Sequence, residues 1–435
     1  MMHRPLDRRT FVRALGVAAA VPTLATAGHR SNRASDDELT VGVIGCGGRG
    51  TGAAVNALQA GPNVRVVAMG DLFPDRLASS LGHLGQQTEA DRVDVPESRQ
   101  FVGFDAFQGV IDAGCDLVIL ATPPGFRPQH FEAAIAADKH VFMEKPVAVD
   151  AAGVRKVIEA AAAAGAKKRS VVAGTQRRHE ACYLDAMERI HRGDIGRLVA
   201  GRCYWNMGGL WNVEAQGDRT DVENQIRNWL YYTWLSGDHI VEQHVHNLDV
   251  MNWAFQATPQ RVFGVGGRQA RTGDSFGHIF DHFALEYAYP EDRFVSSMCR
   301  QQVGTDGRVE EILSGTEGVA TLSSGRAVLT GPNAWKFTGG QTNPYVQEHV
   351  DLQASIRGDG AYLNEGKRIA ESTLTAIMGR EAAYTGKTIT WEEALASEQD
   401  LMPDVMEFST MPRPGVSIPG RTTFDRSDDG RSKDG

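Results

Sequence analysis

The sequence predicts an α/β protein of two unlike parts: a doubly wound parallel sheet first, then a second, strand-rich α/β part. Three observations carry this. Short apolar runs alternate with helical stretches from residue 39 to residue 173. A glycine-rich turn follows the first of those runs, and from Arg261 to Arg300 the pattern changes to strands of period two. Strand–helix alternation builds parallel sheets covered on both faces, whereas consecutive strands build antiparallel ones. The chain has 435 residues, 42% hydrophobic and 23% charged, ample for a packed core. A net charge of -9 gives no electrostatic case for nucleic-acid binding. The five cysteines (46, 115, 182, 203 and 299) lie far apart with no CxxC, which excludes a disulfide scaffold or a zinc ribbon.

Residues 1–27 are set aside as an export signal. Arg8-Arg9-Thr10-Phe11 precedes a mildly apolar stretch, Ala14 to Ala25, and Ala25-Thr26-Ala27 offers an A-x-A cleavage site. The apolar stretch is too short to span a bilayer. The paired arginines resemble a twin-arginine signal, which implies a periplasmic or otherwise exported protein with no membrane span once cleaved. Residues 28–38 form a polar spacer.

Leu39 to Ile44 reads as a buried strand. It runs into Gly45-Cys46-Gly47-Gly48-Arg49-Gly50, a full G-x-G-x-x-G, and the chain then turns helical through Leu58. In this context Gly45 permits the tight turn, Gly47 lets backbone approach a pyrophosphate, and Gly50 allows close helix–strand packing. The phosphates would rest on N–H groups at the helix N-terminus. A second strand, Val64 to Met69, leads to Asp71, about 20 residues beyond the last glycine, where a carboxylate accepts ribose hydroxyls and repels a 2′-phosphate. This favours NAD; Arg76 close by leaves NADP open. The strand Asp116 to Ala121 ends at Thr122-Pro123-Pro124, at the sheet edge where ligands sit. A helix from Pro128 to Ala137 then leads to His140-Val141-Phe142-Met143, which delivers Glu144-Lys145-Pro146.

The Gly45–Gly50 loop, Ala121-Thr122-Pro123 and the Glu144-Lys145-Pro146 triplet resemble the Gfo/Idh/MocA oxidoreductases, as do Gly174 to His179, Gly315-Thr316-Glu317-Gly318 and Glu381 to Lys387. The resemblance implies a Rossmann domain over 39–173 and a substrate-binding and oligomerisation domain over 174–411. The latter would carry a large, open, mostly antiparallel sheet and a returning C-terminal helix near Glu365 to Tyr384. Residues 412–435, rich in Pro, Gly, Asp and Arg, read as a mobile tail or arm. Family members are commonly homodimers or homotetramers through the open sheet. The cofactor contacts implied are the whole glycine loop, Asp71, Thr122, Pro123 and Glu144, with Lys145 meeting the substrate and Pro146 following a cis bond.

Gly237 to Trp253 is the segment richest in chemistry. As one helix it would align His239, Glu242, His246 and Asp249 on a single face. The family places an acid four residues before a histidine here, and Glu242 and His246 occupy those positions. Glu replaces the commoner Asp, and His244 stands where Gly is frequent. A buried polar network is one explanation of the stripe. Metal binding by His239, Glu242 and His246 fits the residue types but not the H-E-x-x-H order, so no metal is expected. The favoured assignment makes His246 the general base, oriented by Glu242, with Lys145 binding the reacting hydroxyl. Tyr204, Trp205, Trp211, Trp229, Tyr231, Tyr232 and Trp234 cluster before this segment, and such rings suit sugar C–H faces. Trp205 and Asn206 are the preferred substrate contacts among them, with Arg178, His179 and Asp249 as further candidates.

The function expected is an exported oxidoreductase moving a hydride between a sugar, sugar derivative or cyclic polyol and a tightly bound nicotinamide cofactor. The alternatives are a redox-neutral glycosidase or lyase acting through a transient ketosugar, and a non-catalytic sugar-binding protein.

Overall fold

The computed structural model describes residues 37–424. The leader expected over 1–27, with its twin-arginine pair, lies outside them, as do most of the spacer and the end of the tail. The first part of the chain alternates β1 (Leu39–Ile44), α1 (Gly48–Ala60), β2 (Val64–Asp71), α2 (Pro74–Gln87), β3 (Gln100–Val102), α3 (Ala106–Asp112), β4 (Leu117–Leu120), α4 (Arg127–Ala136), β5 (His140–Met143), α5 (Ala151–Ala166) and β6 (Val171–Ala173). Its six strands are all parallel, in the order β3-β2-β1-β4-β5-β6. The order reverses between β1 and β4, so a crevice opens beyond the carboxyl ends of those strands, where the glycine turn and Thr122-Pro123 lie. The strands are buried almost throughout, as helices on both faces require.

The second part begins with α6 (Ala181–Arg192) and β7 (Leu198–Met207), followed by α7 (Asp221–Arg227), α8 (Thr233–Ser236), α9 (His239–Glu242) and α10 (Val245–Phe255). Strands β8 (Arg261–Gly267), β9 (His282–Tyr289), β10 (Arg293–Gln301), β11 (Arg308–Gly315), β12 (Val319–Ser323), β13 (Arg326–Thr330) and β14 (Trp335–Lys336) come next. The chain then forms α11 (Pro344–Arg357), α12 (Gly366–Thr385), β15 (Ile389–Thr390) and α13 (Trp391–Ala396). The sheet has nine strands in the order β14-β13-β12-β11-β7-β10-β9-β8-β15. Only β7 and β10 pair in parallel. Inward residues such as Phe283, Leu285 and Tyr287 of β9 alternate with outward ones and pack beneath α10 and α12. The other face is open and carries exposed Phe263, Val265, Phe294 and Met298.

The C-terminal helices return to the first part. On α11, Gln353 donates to the Ala57 carbonyl (2.9 Å) at the end of α1. At the start of α12, Gly366 sits so close to α5 that a Cβ there would lie 2.6 Å from the Ala161 methyl. The glycine is what allows α12 to lie against both the Rossmann domain and the antiparallel sheet.

The expected single helix over 237–253 is instead two. Asp238 (φ 75) starts α9 by accepting from the His239 N–H. The N–H groups of both Gln243 and His244 then reach the His239 carbonyl, at 2.9 and 3.2 Å, which ends the regular i to i−4 ladder. His244 is the reason for the break. Its ring is fully buried against the sheet, with Nε2 2.7 Å from Ser297 Oγ and 3.7 Å from Cys203 Sγ. Anchoring that side chain draws the backbone out of helical register, so the face shared by His239, Glu242, His246 and Asp249 does not form.

Candidate active site

The cleft at the switch point has the shape of a dinucleotide cradle. Gly45 has φ 95, and a Cβ there would lie 2.5 Å from Thr122 N. A Cβ on Gly50 would lie 1.8 Å from the Gly45 carbonyl oxygen. Gly47 and Gly48, by contrast, have nothing within 4 Å of a built Cβ. They border open space at the start of α1, whose first N–H groups lack helical partners and whose N-cap Gly47 offers no side chain. An anion fits there. Asp71 closes the ribose end: its carboxylate accepts from Cys46 N (2.6 Å) and Phe73 N (2.9 Å), and burial raises its pKa. Cys46 itself is buried; its N–H serves the turn and its thiol donates to the Gly70 carbonyl at 3.4 Å.

A cavity of about 520 Å³ follows from this turn past Asp71, Arg76, Thr122 and Pro123. Its walls include residues that sequence reasoning did not assign to the cofactor: Phe73, Phe107 and His130 from the first part, and Trp211, Arg227 and Trp229 from the second. His130 stacks on Phe107 with centroids 4.3 Å apart and lies 3.2 Å from Thr122 Oγ1. Burial lowers its pKa to about 3, so it is neutral. Trp211 and Trp229 belong to the aromatic cluster visible in the sequence, and the fold places them in the wall of this cavity. Arg49 leaves the glycine turn, pairs with Glu144, and stands 3.5 Å from Glu348 and over the Tyr345 ring. Burial, then the Glu144 charge, pushes the Glu348 carboxyl well above the usual range.

Beyond Glu144 the chain reaches Lys145, joined to Pro146 by a cis peptide bond. Lys145 Nζ donates to Glu242 Oε1 (2.9 Å) and to the Glu242 carbonyl, and both side chains are 13% exposed. The broken helix makes this pairing possible, because Glu242 ends α9 and is free to turn towards Lys145. His246 opens α10 with its ring stacked on Trp205, centroids 5.7 Å apart and planes 18° from parallel. Burial, reinforced by the positive charges of Lys145 and Arg177, pushes the imidazole well below the usual histidine range. It is therefore neutral. Glu242 was expected to orient His246; among the described residues it bonds to Lys145 and makes no hydrogen bond to His246.

Four expected substrate contacts are placed otherwise. Arg178 forks onto Asp249 (2.8 and 3.1 Å), which also accepts from Arg368 and Ser372, both at 2.8 Å. Burial would raise the Asp249 pKa, but Arg178 and Arg368 hold it below the usual carboxylate range. His179 is bound to Asp351 and faces Glu365 at 3.8 Å. Burial disfavours its charge, but these two acids outweigh it and raise the pKa to about 9. Arg178, His179 and Asp249 thus serve a buried ionic network that ties α10, α11 and α12 together. Asn206 follows Trp205 on β7 without a bulge, so its side chain lies on the opposite, open face of the sheet. His239 turns to Asp238 and Phe283 instead of joining Glu242 and His246. Among the described residues no group of three or more His, Cys, Asp or Glu is placed to hold a metal ion.

A dinucleotide cradle whose Arg49 pairs with Glu144, with a lysine–carboxylate pair starting at the next residue and a neutral imidazole near that lysine, fits a nicotinamide-dependent oxidoreductase. Comparison with known proteins agrees. Residues 39–172 match the model of an oxidoreductase family with an NAD-binding Rossmann fold, and residues 183–321 match the GFO/IDH/MocA C-terminal domain. Inositol 2-dehydrogenase 3 of Saccharopolyspora erythraea is 32% identical over 365 residues, 81% of this chain and 95% of its own. The chain belongs to the Gfo/Idh/MocA oxidoreductase family. Solved structures share the fold. Aldose-aldose oxidoreductase from Caulobacter crescentus, complexed with glycerol, superposes with a TM-score of 0.64 at 18% identity, over 81% of this chain and 99% of its own. Scyllo-inositol dehydrogenase from Lactobacillus casei, with NAD(H) and scyllo-inositol bound, gives 0.62 at 18% identity over the same shares, 81% and 99%.

Proposed function

We propose that the protein oxidises a CH–OH group of a cyclic polyol, sugar or sugar derivative. The observation that carries this is the Lys145–Glu242 pair beside the neutral His246, one residue beyond the Glu144 that anchors Arg49 of the glycine turn. When bound, NAD supplies the hydride acceptor. Lys145 binds the reacting hydroxyl, lowers its pKa by its charge and steadies the alkoxide that forms. His246 accepts the hydroxyl proton, and the electron pair left on oxygen turns the carbinol C–H into a hydride donor. Glu242 keeps Lys145 in place. The Trp205 ring beside His246 suits the apolar C–H face of a sugar or inositol ring. The relatives named inositol 2-dehydrogenase support a polyol substrate.

The test is turnover of a panel containing myo-inositol, scyllo-inositol, levoglucosan and free aldoses, with identification of products. Carbonyl product matched by reduced cofactor supports the proposal. Free sugar released from a glycoside without net reduction overturns it.

The same reading includes export and a retained cofactor. Arg8-Arg9 and the A-x-A site support export. Retention is supported by the cavity walls, since Trp211, Arg227 and Trp229 of the second domain line the cavity together with the glycine turn. Arg227 also lies over the Phe73 ring at 3.8 Å, and Phe408 packs on Phe73 and Phe104 outside it. Denaturing the dialysed protein releases near-stoichiometric NAD if retention holds; recovery of none, with ordinary saturation by added NAD, contradicts it. Self-association through the open sheet face into a homodimer or homotetramer is supported by its exposed Phe263, Val265, Phe294 and Met298.

A further inference from the structure

Between the two halves of the broken helix stands Gln243, which plays no part in the proton chemistry above. Its Oε1 accepts from Trp205 Nε1 (3.0 Å) and from Gln301 Nε2 (2.7 Å). Gln301 Oε1 in turn accepts from Arg271, a buried guanidinium that also donates to the Phe280 carbonyl (2.8 Å). Arginine and indole only donate. With a pure donor at each end of the chain, neither glutamine can be flipped without setting donor against donor. The orientation of the Gln243 amide is therefore fixed, with its oxygen committed twice. Its Nε2 has no hydrogen-bond partner among the described residues and is not a buried atom. Trp205 stacks on His246, and Glu242, the preceding residue, holds Lys145. A locked, unused donor thus stands on the residue that follows Glu242, the partner of Lys145, and that holds Trp205, the ring stacked on His246.

We infer that the Gln243 amide is a substrate-binding donor, which takes an oxygen of the polyol or sugar other than the one being oxidised, and that Gln301 and Arg271 are the positioning residues that aim it. This rests on the proposed dehydrogenase reading for the class of ligand, but not on turnover for its test. A site built to hydrogen-bond a hydroxyl discriminates against the analogue that lacks it, because the bound ring covers the donor and leaves it without water or partner.

The experiment uses the full chain loaded with NADH and measures calorimetric binding of myo-inositol, scyllo-inositol and levoglucosan, then turnover with NAD. For whichever polyol binds, Gln243→Met weakens binding and raises KM about three- to tenfold, the range of one hydrogen bond, with kcat within about twofold. Monodeoxy analogues of that polyol identify the oxygen: one analogue binds the wild type as weakly as the parent binds Gln243→Met, and loses nothing more in the variant. Gln301→Glu leaves Gln243 in place but offers it a carboxylate, so its amide turns to donate there; the same loss is expected, confined to the same hydroxyl. Gln243→Glu keeps both accepted hydrogen bonds and exchanges the free donor for a charged acceptor, so any change in binding, of either sign, should be confined to the same hydroxyl; this covers the case that Gln243→Met does not fold. Equal binding by wild type, Gln243→Met and Gln243→Glu, or losses additive with every monodeoxy analogue, overturns the assignment while leaving a dehydrogenase intact. Binding that depends on Gln243 without any reduction of NAD keeps the assignment and overturns the dehydrogenase reading. Failure to bind any of the three polyols overturns the assignment.

Discussion

Replacing Gly47 and Gly50 by alanine, one at a time, separates what the glycine turn does for the fold from what it does for the cofactor. At Gly50 the new methyl would lie 1.8 Å from the Gly45 carbonyl oxygen and 3.1 Å from the Ala121 methyl, so α1 must move by more than 1 Å, an amount estimated against roughly 3.4 Å for ordinary contact. Overpacking of this kind costs about 1–3 kcal/mol, and here the obstacle is backbone, which places it at about 3. Gly47 has φ -70 and ψ -178, which alanine adopts freely, and its methyl would meet nothing within 4 Å. The free protein should then be unchanged, or gain about 0.4–1 kcal/mol from the stiffer unfolded chain. The methyl would occupy the space a pyrophosphate needs. Losing one or two hydrogen bonds to a charged group, at about 1.5–3 kcal/mol each, weakens NAD binding by a factor on the order of 10–10⁴. Thermal unfolding of NAD-stripped protein, paired with calorimetric titration of NAD, reads both effects. Gly50→Ala should lower Tm without ligand, and Gly47→Ala should lower affinity alone. A Gly47→Ala variant that melts as early as Gly50→Ala, or binds NAD like wild type, would refute the reasoning.

Lys145→Ala should cut kcat by a factor on the order of 10²–10⁴ while the NAD Kd stays within about twofold, since the lysine meets substrate and the glycine turn meets cofactor; full activity would remove its role. His246 is held neutral by burial and by neighbouring cations, so its loss as a base on acidification falls below the ordinary histidine pKa of about 6.5. The kcat/KM profile of wild type should stay level through that range and fall only at lower pH, and His246→Ala should lose this limb together with most of the rate. For stability the sign is opposite at His179, whose pKa is raised to about 9. The stabilisation from its charge is complete below about pH 6.5 and vanishes as pH rises through about 9. A rise of that size corresponds to roughly 3 kcal/mol, reduced to about 2 because Asp351 is partly exposed. Chemical denaturation of wild type should therefore show a drop of about 2 kcal/mol between pH 6.5 and 9 that His179→Gln lacks.

The Rossmann half was legible because its signals are local: an apolar run, a glycine turn, a helix and an acid follow one another within a few turns of chain. Lys145 was legible for the same reason, delivered by β5 at the end of a short strand. The Glu242–His246 segment was legible in composition and not in geometry. Helical periodicity assumes an unbroken ladder, and His244, buried against Ser297 and Cys203 of distant strands, interrupts it. That interruption gives Glu242 to Lys145. Arg178, His179 and Asp249 look like site residues in sequence because buried ionic networks and active sites draw on the same residue types; Arg368, Asp351 and Glu365, which claim them, arrive more than 70 residues later in the chain. Asn206 was misplaced by one step of strand alternation. Trp211 and Trp229 line the same cavity as the glycine turn only because the second domain folds back over the first, which no local pattern records.

The central claim is that this chain oxidises a carbinol at Lys145 and His246. A single-turnover experiment tests it most directly: NAD-loaded protein is mixed with the polyol and sugar panel, and bound reduced nicotinamide and carbonyl product are quantified in the same sample. Equal amounts of the two are expected with wild type, and with Lys145→Ala both should form at a rate lower by a factor on the order of 10² or more. Cleavage of a glycoside with the cofactor returned to its oxidised form and no carbonyl product accumulated, or carbonyl formation undiminished in Lys145→Ala, would contradict it.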